Sequence, residues 1–351
     1  MKRLNKYLVL LLCTNSLFAQ TDTSKNLTFS AYGEFYYSYD FAEPQNHEKP
    51  SFIYNHKRHN ELNTNLILVK ASYSKNNVRA NFGLMAGNYA QYNLSNEPTW
   101  GQFIYEANIG IQLSKKATFW LDVGIMPSHI GFESAISSEC WTLTRSVLAE
   151  NSPYYETGIK LSYQNKKKKF NASFLVLNGW QKIKRPDNFQ NPSFGLQLNY
   201  KPTERLTLNY SNFIGSDKPD SLNAWRTYHN FYGLYERKKI GIIMGFDIGT
   251  DKFNSREYGI CFSPIFIFRY TINKHFKVAL REEYYKDKKQ IFITTNQNSF
   301  ALFGISTNLD YQITKTVLFR LEGKLYQAEN EIFKTNSKEN FSFTSNLTIK
   351  L

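Results

Sequence analysis

From Ile240 to Ile248 every second residue is apolar: Ile240, Ile242, Met244, Phe246 and Ile248, with Gly241, Ile243, Gly245 and Asp247 between them. A side-chain period of two belongs to a β-strand that turns one face to an apolar phase and the other to water. The same parity runs through Val78, Ala80, Phe82 and Leu84, through Phe119, Leu121, Val123 and Ile125, through Tyr155, Thr157, Ile159, Leu161 and Tyr163, and through Val317, Phe319, Leu321, Gly323 and Leu325. It also occupies the last residues, where Phe341, Phe343, Ser345, Leu347, Ile349 and Leu351 alternate with Ser342, Thr344, Asn346, Thr348 and Lys350. Followed along the chain, this pattern predicts sixteen strands near 26–39, 61–73, 77–88, 103–114, 117–126, 154–164, 168–179, 193–201, 204–214, 225–236, 239–249, 256–270, 274–287, 298–313, 315–327 and 340–351. The second, tenth and twelfth are ambiguous in phase.

The connections alternate as well. Short ones, such as SKNN (74–77), SKKA (114–117), QNKKKK (164–169), KPTE (201–204), RKK (237–239), TINKH (271–275) and QITKT (312–316), are interleaved with long ones at 40–60, 88–102, 127–153, 180–192, 215–224, 250–255, 288–297 and 328–339. Aromatic residues make up 16% of the chain, yet the mean hydropathy is −0.48. No later run approaches the roughly 20 consecutive apolar residues of a membrane helix. A barrel in an outer membrane reconciles these facts, because half of each strand faces lipid and half faces water, with short turns on one rim and long loops on the other. The expectation is an all-β, transmembrane, antiparallel up-and-down barrel of about 16 strands, sealed by pairing its last strand with its first so that no backbone edge is left in hydrocarbon. Tyr163, Tyr200 and Tyr311, each closing a strand just before a short turn with lipid-facing parity, are expected in an interfacial aromatic girdle.

The amino terminus sets the compartment. Lys2, Arg3 and Lys6 precede the apolar run YLVLLLC (7–13), and SLFAQ offers cleavage after Ala19, so residues 1–19 read as a signal peptide and 20–351 as the barrel. Leu12, ahead of Cys13, is too bulky for a lipid-attachment site. The formal net charge is +14, of which the leader supplies three. The excess sits in the short turns at Lys75, Lys115, Lys116, Lys166, Lys167, Lys168, Lys169, Lys201, Arg237, Lys238, Lys239, Lys274 and Lys315, against Glu204 alone. Such a rim suits anionic lipid headgroups, and export removes nucleic acid as a partner. The expected location is the outer membrane of a Gram-negative cell, with both termini periplasmic.

Sixteen strands leave room for an aqueous channel. The connection 127–153, third on the long-loop side, carries Glu133, Glu139, Arg145 and Glu150 and has helix-compatible pieces at Ser134–Ser138 and Leu143–Ala149; it is expected to fold inward as a constriction. By parity the pore wall carries Arg79, Lys160, Lys277, Arg281, Arg320, Lys324 and Lys350 against Glu106, Asp122, Glu156, Asp247, Glu283 and Glu322, a nearly neutral set. Arg281 with Glu283, and Arg320 with Glu322, are expected to brace a polar lumen rather than grip an anion. The segments DVGIMPSHIGFES, TRSVLAENSPYYETGIKLSY, VLNGWQ (176–181) and VALREEYYKD (278–287) resemble the putative beta-barrel porin family of Gram-negative outer-membrane proteins. The resemblance implies a porin-like channel for passive diffusion of small hydrophilic solutes, with no cofactor and no catalytic residues. In sixteen-stranded porins generally, the third long loop narrows the channel. The terminal alternation also resembles the signal read by the barrel-assembly machinery, and a homotrimer is compatible with the family.

Other chemistries are weaker. A secreted all-β ligand-binding protein explains the alternation but not the short-and-long rhythm. A barrel-borne hydrolase has only His129 and Ser134 in one loop, without a GxSxG elbow. HKRH (56–59) lacks cysteine partners at zinc spacing and reads as solvated loop. Cys140 and Cys261 are the mature cysteines, one in a loop and one in a strand, and the compartment permits a bridge.

Overall fold

A computed structural model of the chain describes residues 26–114, 118–252, 257–333 and 337–351. The proposed leader and its charges, together with Lys115 and Lys116, lie outside the described residues. The strands are β1 (Leu27–Asp40), β2 (Leu62–Lys75), β3 (Val78–Ala86), β4 (Ile104–Gln112), β5 (Thr118–Pro127), β6 (Tyr155–Gln164), β7 (Phe170–Leu177) and β8 (Ser193–Thr203). The second half comprises β9 (Leu206–Gly215), β10 (Arg226–Arg237), β11 (Ile240–Lys252), β12 (Tyr258–Thr271), β13 (Phe276–Asp287), β14 (Phe300–Gln312), β15 (Val317–Ala328) and β16 (Glu339–Lys350). Each strand pairs antiparallel with its sequence neighbours, and β1 pairs with β16, so the sheet is a closed barrel. At the seam Tyr32 lies opposite Lys350 and Asp40 opposite Ser342. Just below, Ala31 and Leu351 exchange backbone hydrogen bonds of 3.1 and 2.9 Å, so the unpaired edge that would be costly in lipid is gone.

Alternation decides the faces. Phe82, Leu84, Val123, Ile159, Phe174, Phe231, Met244, Leu325 and Leu347 are exposed on the outside, while their sequence neighbours turn inward and are mostly buried. At the short-turn rim Tyr163 meets Phe119 at 4.8 Å between ring centroids and Tyr311 stacks on Phe276 at 4.8 Å. Tyr200 lies in register with Phe170. Aromatic pairs thus occupy the expected girdle level. The described turn cations on that rim are exposed.

Two local features interrupt the parity. In β2, Glu34 pairs with Leu66 and Phe35 with Thr64, leaving Asn65 as an extra residue in a β-bulge, with Asn65 and Leu66 both buried. This is why the second strand has no single phase. In β5, Gly124 takes φ 130, and a Cβ there would come within 2.1 Å of the Ala107 carbonyl oxygen. Ile125 beyond it is buried rather than exposed. The tenth and twelfth strands are ambiguous for another reason: their inward residues are themselves apolar, with Tyr228 and Leu234 on β10 and Ile265 and Ile267 on β12 packed in a buried cluster.

Of the helix-compatible pieces, Leu143–Ala149 overlaps a short helix, α2 (Val147–Glu150), that runs one residue beyond it and is capped by Ser146 accepting from the Ala149 amide. The other piece is not helical over its length; a 3-10 turn begins three residues later than expected, at Ser137–Glu139. An unforeseen helix, α1 (Asn88–Asn93), follows β3.

Candidate functional site

The segment 128–154, between β5 and β6, reaches side chains on the inward face of strands far around the barrel. Leu143 and Thr144 donate their amides to Asn308 of β14 (3.0 Å) and Glu322 of β15 (2.5 Å), and Val147 donates to Glu283 of β13 (2.6 Å). The wall answers with cations. Arg281 donates to the Thr142 hydroxyl (2.8 Å), the Thr144 carbonyl (2.7 Å) and Glu322 (2.9 Å). Arg320 donates to the carbonyls of Ser137 (2.7 Å), Cys140 (3.1 Å) and Thr142 (3.2 Å), and to Asp310 (2.6 Å). Lys324 donates to the Arg145 carbonyl at 2.7 Å. Arg281 and Arg320 are 0% exposed, so the bonds that each guanidinium makes are all to partners inside the protein; Arg281 Nε makes no hydrogen bond and lies 3.5 Å from the Glu283 carboxylate.

Against the other side of the wall the segment packs by shape. Gly241 on β11 makes room for Trp141, since a Cβ there would lie 2.6 Å from the indole ring. Arg269 of β12 stands 4.1 Å from the centroid of the same ring, a cation–π contact. Gly195 on β8 does the same for His129, whose ring would be 2.6 Å from an added Cβ. His129 holds Glu156 through Nδ1 at 2.8 Å, and Ser211 of β9 donates to its carbonyl at 2.7 Å. Burial works against a charged His129 ring, but the Glu156 carboxylate beside it outweighs burial and raises its pKa.

The four acidic and basic residues singled out in this segment occupy different surroundings. Arg145 is wholly buried and donates to the carbonyls of Ser134, Ala135 and Leu143, each at 2.7 Å, so it shapes the segment itself. Glu133 accepts from the Ser146 amide at 3.2 Å and stands 3.6 Å from Arg281. Burial pushes its carboxyl up. Glu150 accepts from the amides of Tyr54 (2.9 Å) and Asn55 (3.1 Å) in the connection 41–61, and burial raises it too. Glu139 is different: its side chain is 44% exposed, 3.0 Å from Lys350, at a cavity of about 410 Å3 that Lys70 and Glu106 also line.

The remaining wall residues have polar partners or neighbours on the wall itself. Arg79 grips Asp122 with two bonds, of 2.7 and 2.5 Å, and Lys160 lies in register with Asp122. Glu106 pairs with Lys70, Asp247 accepts from Asn230 at 2.6 Å, and Lys277 is opposite Asp310.

Several contributors escaped the sequence reading. Glu34, fully buried on β1, takes His56 at 2.7 Å and Asn346 at 2.6 Å. HKRH is therefore not a solvated stretch, because His56, Lys57 and His59 are buried, His56 against that carboxylate. Lys49 is buried beside Thr344 at 3.2 Å, its pKa pushed down to about 8 by burial and then by the charge of Lys324. Cys140 and Cys261 are free, buried thiols. A second cavity, of about 900 Å3, opens at the long-loop rim among Asp40, Lys49, Phe52, Thr295, Phe333 and Asn340.

The model of a family described as "Putative beta-barrel porin-2, OmpL-like" matches residues 26–351. No curated protein matches the sequence. Among solved structures, the barrel is similar to an anion-selective porin from Comamonas acidovorans, with TM-score 0.63 and 9% identity over 93% of this chain and 99% of that one. It is similar to Salmonella typhi OmpF in complex with daunomycin, with TM-score 0.62 and 8% identity over 93% and 98% of the two chains. Pseudomonas putida OprB, in its high-pH structure, gives TM-score 0.60 and 7% identity over 93% and 94%. At such identities the likeness is one of fold.

Proposed function

The chain belongs to the beta-barrel porin-2, OmpL-like family, and from that premise of an outer-membrane channel we propose how it works. It is a route for passive diffusion of small hydrophilic solutes, narrowed where segment 128–154 lies across the lumen. The observation that carries this reading is the set of bonds from inward-facing Arg281, Arg320 and Lys324 to the carbonyls and hydroxyls of that segment. Glu133, Arg145 and Glu150 hold the segment in shape, whereas Glu139, Lys350, Lys70 and Glu106 face solute in the cavity they share. Two charges of each sign give the route weak ion preference.

The same reading extends to the envelope. Residues 1–19 are a removed leader. The rim bearing Leu27 and Lys350 faces the periplasm, and its lysines meet anionic lipid headgroups. β16 is the strand that the assembly machinery engages, and the barrel works as a homotrimer. The function is transport and not catalysis. Deleting Gly131–Glu150 from refolded protein tests the constriction: single-channel conductance rises several-fold while heat-dependent gel migration still reports a barrel. Arg145→Ala is the milder arm, because it removes the donors to three carbonyls of the segment. Unchanged conductance in both variants would take segment 128–154 out of the pathway.

A further inference from the structure

Away from the strand ends, the outward face of the described strands carries apolar, glycine or hydroxyl-bearing residues with two exceptions. The first is Glu282 on β13, exposed between Phe266 and Ile305 of the adjacent strands, with no partner among the described residues. The second is a chain of polar side chains on β9 and β10. Asn212 donates through Nδ2 to the Tyr210 hydroxyl at 3.2 Å, and that hydroxyl lies 2.9 Å from Nδ1 of His229. With the hydroxyl donating to Nδ1, the ring proton sits on Nε2, which has no partner among the described residues. An unmatched acceptor and an unmatched donor therefore stand on a surface where lipid can satisfy neither.

Their positions correspond. Glu282 is six residues from Phe276, the outward aromatic at the short-turn rim of β13; His229 is six residues from Tyr235, its counterpart on β10. The two lie at one height in the wall. Each strand of a sixteen-stranded barrel takes about 22° of the circumference, so β10 and β13 are about 68° apart. In a three-fold ring the two neighbours of any protomer lie about 60° apart, and each contact joins two different patches.

We infer that β9 to β13 form the face through which copies of this chain associate, the Glu282 carboxylate of one accepting from His229 Nε2 of the next. The outward surfaces of β11 and β12, with Met244, Phe246, Phe262 and Phe266, then face the three-fold axis. This rests on the homotrimer proposed above and is independent of the pore.

Oxidative cross-linking in membranes tests it, with Glu282→Cys and His229→Cys combined in one chain and each single variant as control. The combined variant gives covalent dimers and trimers, and the singles give none. A trimer on unboiled gels without cross-links overturns the face. A dimer from Glu282→Cys alone indicates a two-fold contact and also overturns it. A wild-type monomer in membranes removes the trimer itself, and unaltered conductance then leaves the channel standing. Glu282→Leu separates the environments by sign: it lowers the temperature at which the unboiled trimer dissociates, whereas a lipid-facing position would gain stability.

Discussion

The inward faces of β13 to β15 and of β7 to β12 hold the same segment with opposite emphasis, although Tyr285, Phe300, Leu302 and Tyr326 of the first also join the apolar cluster and Gln197, Ser211 and Asn230 of the second also bond the segment. The first presents Arg281, Glu283, Asn308, Asp310, Arg320, Glu322 and Lys324, all buried and bonded to each other or to the backbone of 128–154. The second presents Leu175, Leu177, Phe213, Ile243, Ile265 and Ile267, which share a buried cluster with Ile130, Trp141, Val147 and Leu148 of the segment. Charged hydrogen bonds are directional and set register; apolar packing is not, and sets depth. The segment is aimed by one arc of the wall and seated by the other.

Arg281→Ala is the severest way to break that arrangement. It strips buried Glu322 of its ion-pair partner and leaves Glu283 only Lys324, at 3.8 Å, a loss of about 3–5 kcal/mol that should show as a lowered unfolding temperature together with larger, noisier conductance. If conductance stays at the wild-type level in the folded fraction, the charged arc does not aim the segment. Ile267→Ala on the apolar arc costs roughly 2–4 kcal/mol. Its unfolding temperature falls, yet the conductance should move less than in Arg281→Ala, and a reversed ranking would exchange the roles assigned to the two arcs.

Gly241→Val intrudes on Trp141 and costs about 1–3 kcal/mol through overpacking. Reduced quenching protection of tryptophan fluorescence would report the displaced indole, and an unchanged signal would place Trp141 elsewhere. The smallest effect is a pH dependence at Lys49. Its folded pKa is about 8, below its ordinary value, so the unfolded chain binds the proton more tightly. The cost of burying that charge is present in full below pH 8, and stability recovers as pH rises from about 8 towards the ordinary lysine range of about 10.4. Lys49→Met should flatten this rise in unfolding temperature, and an equally steep rise in the variant would assign it to other groups.

Strand number, strand ends to within a few residues, the rhythm of connections and the girdle were all legible, because each depends on local parity and turn length. Phase failed where the physics of parity fails. Asn65 adds a residue to β2, and the inner faces of β10 and β12 are as apolar as their outer faces. The ambiguity in β2 also hid Lys70, the partner of Glu106. Asp310 was within reach, sharing the parity of Asn308 on a strand of clear phase. Contacts of the segment were not legible at all, since Arg145 and Arg320 bind backbone carbonyls, which every residue has. Gly195 and Gly241 were the available signal: glycines on an inner wall mark where another group comes close.

The seam gives β16 an influence beyond sealing the wall. Asn346 bonds Ser137, Lys350 pairs with Glu139, and Thr344 accepts from Lys49, so the final strand touches both the connection 41–61 and the segment 128–154. Without β16 these three contacts would be unmade, so pairing the last strand with the first both closes the wall and completes the hold on the two connections.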